Sequence, residues 1–167
     1  MITCVPYLDV GSGTGRLVEV LLERLPTARV VGLDTSEDML RQAQRRLSER
    51  AGLIRAVLDP DANGDLPFPP CCFAAVVMSN VLHYLPNAVG VLAVVADVLQ
   101  EGGQLVVEDY ARRLLPFPWW LFEWLLSRLD PWHVHTYTLQ GAVEHCQRAG
   151  LQVELAEAFA IGWLWHG

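Results

Sequence analysis

The first apolar run of the chain, Thr3 to Val10, carries one acid, Asp9, and leads directly into Gly11-Ser12-Gly13-Thr14-Gly15. An apolar run broken by clustered glycines predicts a strand entering a tight turn. Beyond the turn, Leu17, Val18, Leu21, Leu22 and Leu25 recur at helical spacing until Pro26 ends them, and a second strand, Arg29 to Leu33, closes on Asp34. Parallel strands joined by a helix deliver their following loops to the same edge of a sheet. The glycine turn and Asp34 are therefore expected on one side of the molecule.

The rhythm continues along the chain. Thr35 or Ser36 caps a helix running to about Arg50, with Met39, Leu40, Ala43 and Leu47 inward. Leu53 to Leu58 reads as a third strand, and a turn-rich stretch from Asp59 to Cys71 leads to a fourth, Cys72 to Ser79. A helix over Asn87 to Leu99 and a turn at Glu101-Gly102-Gly103 precede a fifth strand, Gln104 to Asp109. Thr138 to Ala149 reads as a capped helix ended by Gly150, Leu151 to Ala158 as a sixth strand and Trp163 to Trp165 as a short seventh. Strands that are continuously apolar and alternate with helices belong to a parallel sheet covered on both faces. The expected class is a doubly wound, mostly parallel α/β fold. The 167 residues contain no repeat or linker, so one domain over residues 1–167 is expected, with a Pro- and Trp-rich insertion at about 111–137.

Composition narrows the partners. With 52% hydrophobic residues, 19% charged residues and a net charge of -7, the chain reads as a packed fold without a basic run, so nucleic acid is not expected to bind. All 12 basic residues are Arg, which excludes lysine Schiff-base chemistry and suggests the coding bias of a GC-rich bacterium. Cys4, Cys71, Cys72 and Cys146 have neither zinc nor disulfide-framework spacing, and no metal is expected. The N-terminus has no signal-peptide pattern, so a cytoplasmic protein is expected. Leu66 to Ala96 carries no formal charge, yet Pro67, Pro69, Pro70, Asn80, Pro86 and Gly90 divide it into loop, strand, loop and helix rather than a membrane span.

Ligands of open α/β sheets sit beyond the carboxyl ends of the strands, where the glycine turn is placed. Glycines in alternate positions expose bare backbone to a ligand, and Asp34, 19 residues after Gly15, is placed to accept hydrogen bonds from both hydroxyls of a nucleotide ribose. A dinucleotide fold prefers GxGxxG, whereas Arg16 fills the sixth position here. The block Leu8-Asp9-Val10-Gly11-Ser12-Gly13-Thr14-Gly15 resembles motif I of class I S-adenosylmethionine (SAM)-dependent methyltransferases. The resemblance continues through Val31 to Leu40, Leu66-Pro67-Phe68-Pro69, Ser79 to Leu85 and Leu99 to Leu105. It is closest to the small-molecule branch typified by ubiquinone and menaquinone methyltransferases and covers roughly Val5 to Asp109.

The resemblance implies SAM as cofactor. It places Gly11, Gly13 and Gly15 along the methionine moiety, Asp9 at its ammonium, Asp34 at the ribose, and Thr35 and Met39 near the adenine, with Ser12 and Asn80 in the same cofactor-binding set. Asp59 or Asp61 would take the adenine amino group, Asp61 being preferred. Two positions depart from the pattern: Phe73-Ala74 replaces the usual Phe-Asp, and Thr35 replaces an apolar residue. Only Met1 to Pro6 precede motif I, where the family carries a helical cover, so a truncated or minimal form is expected.

On the acceptor side, His83 and Tyr84 follow the fourth strand while Glu108, Asp109 and Tyr110 end the fifth, so both groups should face the pocket mouth. His83 is the first candidate for a catalytic base, set against a histidine bonded only to backbone, and Tyr84 reads as packing. His133 and His135 would share a face if their segment were a strand, though no third metal ligand accompanies them. The apolar segment Pro116 to Leu129 fits packing on the sheet, a lid over an apolar or aromatic small-molecule acceptor, a homodimer contact or a membrane-surface helix. The reading is a small-molecule methyltransferase. Its rivals are a degenerate methyltransferase-like scaffold and, less favoured without lysine, a nicotinamide-dependent oxidoreductase.

Overall fold

The computed structural model describes residues 7–48, 50–55, 66–112, 118–130, 132–161 and 165–166. Strands β1 (Tyr7–Val10), β2 (Val30–Asp34), β3 (Gly52–Arg55), β4 (Phe73–Ser79) and β5 (Leu99–Glu108) form one sheet in the order β3-β2-β1-β4-β5. Every neighbouring pair is parallel. The chain steps outward from β1 to β3 and then returns to the other side of β1 with β4. The crossovers leaving β1 and β4 consequently run to opposite faces of the sheet, which puts the switch point between these two strands.

Alternation along the strands divides the apolar residues between two faces. On one face Leu8, Val10, Val31, Leu33, Val76 and Met78 pack with Val91, Leu92 and Val95 of α3 (Ala88–Val98). Ala142 and Cys146 of α5 (Leu139–Arg148) close the same cluster. On the other face Val30 packs with Val18 and Leu22 of α1 (Arg16–Arg24) and with Ala43 and Leu47 of α2 (Glu37–Leu47). The uncharged stretch from Leu66 to Ala96 thus supplies β4 and most of α3, both at the centre of the core. Among the described residues no helix is long and apolar enough to cross a membrane.

Helix boundaries follow the capping chemistry. The Ser36 hydroxyl accepts from the Met39 amide, with Glu37 and Asp38 in the first turn of α2 and Arg45 and Arg46 in the last. Asn87 and Thr138 cap α3 and α5 by accepting from Gly90 and Gly141. Gly15, at φ 75°, starts α1 in the left-handed region. A Cβ there would lie 2.9 Å from Leu47 Cδ1 and 3.1 Å from Ala43 Cβ, so the bare glycine lets α1 seat against α2.

Several sequence expectations are corrected. Leu151 to Ala158 is not a strand: Leu151 packs on the core, but the segment finds no ladder partner among the described residues, and alternation alone does not make a strand. In its place, β7 (Ala160–Ile161) and β8 (Trp165–His166) join β6 (Ala111–Arg112) in a small antiparallel sheet, β6-β8-β7. Of the expected seventh strand only Trp165 lies within the described residues, as do only Leu53–Arg55 of the expected third. Strand β5 starts before Gln104 because Leu99 pairs with Phe73; the predicted turn at Glu101-Gly102-Gly103 appears as a register shift within it, Gly102 having φ 74°. Packing of the Trp-rich segment on the sheet is also overturned, since α4 (Trp119–Leu129) buries none of its residues and leaves Trp120 74% and Leu129 75% exposed.

The α1–α2 contact can be tested by substitution. Gly15→Ala is expected to cost about 2–4 kcal/mol in urea unfolding, from left-handed strain plus overpacking. Thr138→Ala, which removes only a cap, is expected to cost about 1 kcal/mol. Equal losses would show that the two helices do not depend on this close approach.

Candidate active site

The loop after β1 is tied to the end of β2 by its backbone. The amides of Gly11 and Ser12 both donate to the Leu33 carbonyl, at 2.7 and 2.9 Å. One residue further along β2, Asp34 accepts from the Gly13 amide on Oδ2 at 2.7 Å and from the Ser36 amide on Oδ1 at 2.8 Å. One carboxylate therefore fixes both the glycine loop and the start of α2. A carboxylate offers about four acceptor directions, so two bonds leave Asp34 able to accept others.

Gly11 has φ 73°, and a Cβ on it would fall 2.3 Å from Val81 Cγ2, so the β4 loop lies directly against the glycine loop. At Gly13, in contrast, an added Cβ would meet no atom closer than 3.9 Å, and the bare backbone faces open space. Beneath the loop are two orphans. Asp9 is 2% exposed and Ser12 6% exposed, and Asp9 Oδ2 and Ser12 Oγ are buried without a hydrogen-bond partner among the described residues. Burial, with the Asp34 carboxylate adding to it, pushes the Asp9 carboxyl up from 3.8 to about 7.

The remaining residues expected at the cofactor are less uniform in placement. Met39 is exposed in the first turn of α2, and Thr35 is exposed just before it. Asn80 adopts φ 56°; its amide N–H donates to the Glu108 carbonyl, and its side chain lies against Ser79 and Glu108. The Ser79 hydroxyl donates to Glu108 Oε2 at 2.6 Å, which holds the ends of β4 and β5 together. Gly15 faces Ala43 and Leu47 rather than open space. Asp59 and Asp61 lie outside the described residues.

A second group forms where the 3₁₀ turn Leu82–Tyr84 meets the end of β5. Asp109 accepts from the His83 amide at 3.1 Å, and its Oδ1 lies 2.6 Å from His83 Nδ1. The carboxylate thus favours the Nδ1–H tautomer and leaves Nε2 with its lone pair. Both side chains are largely buried, at 12% and 8% exposure. His83 borders a cavity of about 260 Å³ that is also lined by Tyr110, Leu126, Asp130, His133 and Thr136.

The far wall of this cavity was not legible in sequence. Glu123 of α4 accepts from the Thr136 amide at 3.2 Å and stands 3.8 Å from His133 Nε2, which lies 3.2 Å from Thr136 Oγ1. Burial lowers the His133 pKa despite Glu123. Tyr84 is not simply packing: its hydroxyl donates to Asp130, and burial together with that bond raises its pKa. His133 and His135 do not form a strand pair. His133 lines the cavity, whereas His135 packs edge-on against Tyr137.

A parallel sheet with a glycine loop and an acidic strand end at its switch point defines a Rossmann-like α/β fold. Within that class, residues 8–103 match the family described as methyltransferase domain, and the chain belongs to that family. It is 35% identical over 125 residues to a demethylmenaquinone methyltransferase of Tropheryma whipplei (strain Twist), covering 73% of this chain and 50% of that one. A trans-aconitate 2-methyltransferase of Rhodopseudomonas palustris (strain BisB5) is 33% identical over 175 residues, covering 86% of this chain and 68% of the relative. The chain spans about half the length of the first of these relatives. The solved S-adenosylmethionine-dependent methyltransferase of Mesorhizobium loti superposes with a TM-score of 0.75 at 23% identity, over 95% of this chain and 79% of that one.

The buried orphan acid gives a pH signature. Asp9 holds its proton more tightly in the folded chain than in the unfolded one. Its contribution to stability is therefore fully present below pH 3.8 and is lost as pH rises through about 7. Between about pH 5 and about pH 8 that loss amounts to about 2–3 kcal/mol. In paired urea melts, Asp9→Asn should reduce the fall in stability over this interval by that amount. An unchanged pH dependence would show that Asp9 is not the titrating group.

Proposed function

We propose that this chain binds SAM along the glycine loop and catalyses methyl transfer to a small apolar or aromatic acceptor held beside His83. The observation that carries the reading is the Asp9 carboxyl, whose Oδ2 is buried without a partner among the described residues, beside a bare-backbone loop with Asp34 at the adjoining strand end. A buried carboxylate without a donor is costly, and a ligand ammonium would satisfy it. Asp34 retains acceptor capacity for a ribose diol, Gly11 and Gly13 border the methionine portion, Ser12 offers its free hydroxyl, and the exposed Met39 is available to the adenine.

Bound SAM supplies a methyl group on a positively charged sulfur. The protein's part is to bind, orient and exclude water, and to remove a proton where the acceptor carries one. His83 does the last. Asp109 holds its Nδ1–H, so Nε2 is left to take the proton, and Asp109 then faces the imidazolium as a counter-charge. Leu126 supplies an apolar part of the cavity wall, which suits an acceptor with little charge.

Calorimetric titration with SAM and S-adenosylhomocysteine tests the cofactor. Saturable binding of both is expected, with affinity reduced at least about tenfold in Asp34→Ala and no binding of NADH. Because Asp9 titrates near neutrality, an incoming ammonium should displace up to about half a proton at pH 7. This release reads out as a dependence of the heat on buffer ionisation and should vanish in Asp9→Asn. If neither SAM-class ligand binds, the proposal fails.

A further inference from the structure

Helix α4 has two faces of different kind. The inner one, with Phe122, Glu123 and Leu126, is partly buried: Glu123 accepts from the Thr136 amide and Leu126 walls the cavity beside His83. The outer one holds Trp120, Leu121, Trp124, Leu125, Arg128 and Leu129, which recur as adjacent pairs every four residues and so form one stripe along the helix. A solvated helix turns polar residues outward. Here Arg128 is the one polar member of the stripe, and its guanidinium lies over the Trp124 ring at 4.8 Å from the centroid.

The stripe is large for a monomer. Trp120 and Leu129 are 74% and 75% exposed, and Leu121, Trp124 and Leu125 are 46%, 52% and 49% exposed, which together present on the order of 600 Å² of apolar surface, more than a monomer usually leaves in one patch. Two such stripes facing each other bury about 1,200 Å², the size at which stable specific interfaces begin. A lipid surface suits the stripe less well. Interfacial helices carry a Lys/Arg-rich polar face, whereas this stripe has a single cation and the chain a net charge of -7.

We infer that α4 pairs with α4 of a second copy of this chain, antiparallel about a twofold axis near Trp124 and Leu125. The spacing of the stripe reads the same from either end, so it complements itself when turned end for end. At the axis Trp124 and Leu125 meet the partner's Trp124 and the partner's Leu125, while Leu121 comes opposite the partner's Arg128. The two guanidiniums then stand about 10 Å apart along the helices, whereas a parallel pair would set them against each other. Pairing covers the outer face alone, so Leu126 keeps its place in the cavity wall and α4 gains a second support. It goes beyond the proposed methyl transfer and does not depend on what the glycine loop binds.

Sedimentation equilibrium of the purified chain between about 1 and about 100 µM tests the pairing. The wild type should be mainly dimeric at about 50 µM. Leu125→Glu brings two carboxylates together at the axis and should weaken the dimer at least about tenfold. Leu121→Glu sets a carboxylate opposite the partner's Arg128 and should leave the dissociation constant within about threefold of wild type. Leu125→Arg opposes two cations at the same place and decides the matter if Leu125→Glu does not fold. A wild type that stays monomeric overturns the pairing, as does a dimer that survives charge at Leu125. Equal weakening by Leu121→Glu and Leu125→Glu overturns the antiparallel register. Co-sedimentation of a monomeric wild type with phosphatidylcholine vesicles would assign the stripe to a lipid surface and sink the pairing with it.

Discussion

The Asp34 carboxylate is the joint on which the glycine-loop end of the structure depends. Each of its oxygens takes one backbone amide, Gly13 from the loop after β1 and Ser36 from the start of α2. Together with the two amides held by the Leu33 carbonyl, these bonds convert a glycine-rich segment that has every entropic reason to move into a fixed cradle. A neutral residue at this position would leave one loop amide and one helix-start amide to find other partners. Because α2 also packs on α1 through the Gly15 approach, the same carboxylate links sheet, loop and both helices of one face.

Asp9 and Asp34 divide the electrostatic work. Asp34 is supported by donors from the protein itself, whereas Asp9 lies deeper and has a carboxyl oxygen with none. A protein that only needed to fold would place an apolar residue or a donor beside Asp9. The unsatisfied acid is destabilising by itself, and such a cost is what one finds where a ligand completes the structure.

Much of this architecture could be read from sequence because its signals are local. The glycine cluster, the helical spacing from Leu17 to Leu25 and the acid closing β2 each specify structure within a few residues, and the five-strand parallel sheet follows from their repetition. Pattern failed where pairing decides: Leu151 to Ala158 alternates like a strand but finds no ladder partner among the described residues, while the two-residue strands β6 to β8 are too short to leave a periodic trace. In the site, His83 stood out by its position after β4. The contact between Glu123 and His133, and that between Tyr84 and Asp130, join residues from separate elements, and no spacing in the chain announces them. The role of Gly15 was hidden for the same reason, since its neighbours Ala43 and Leu47 come from another helix.

Helix α4 has a thermodynamic consequence of its own. With no residue buried, it draws little from the cooperative core and is held mainly by its own turns and by edge contacts such as Glu123 with the Thr136 amide. Such an element opens at a free energy well below that of global unfolding. Since Leu126 belongs to the cavity wall, each local opening of α4 also removes part of that wall. The two histidines thus stand against the least anchored helix of the molecule, while the glycine cradle is tied to the sheet by backbone bonds.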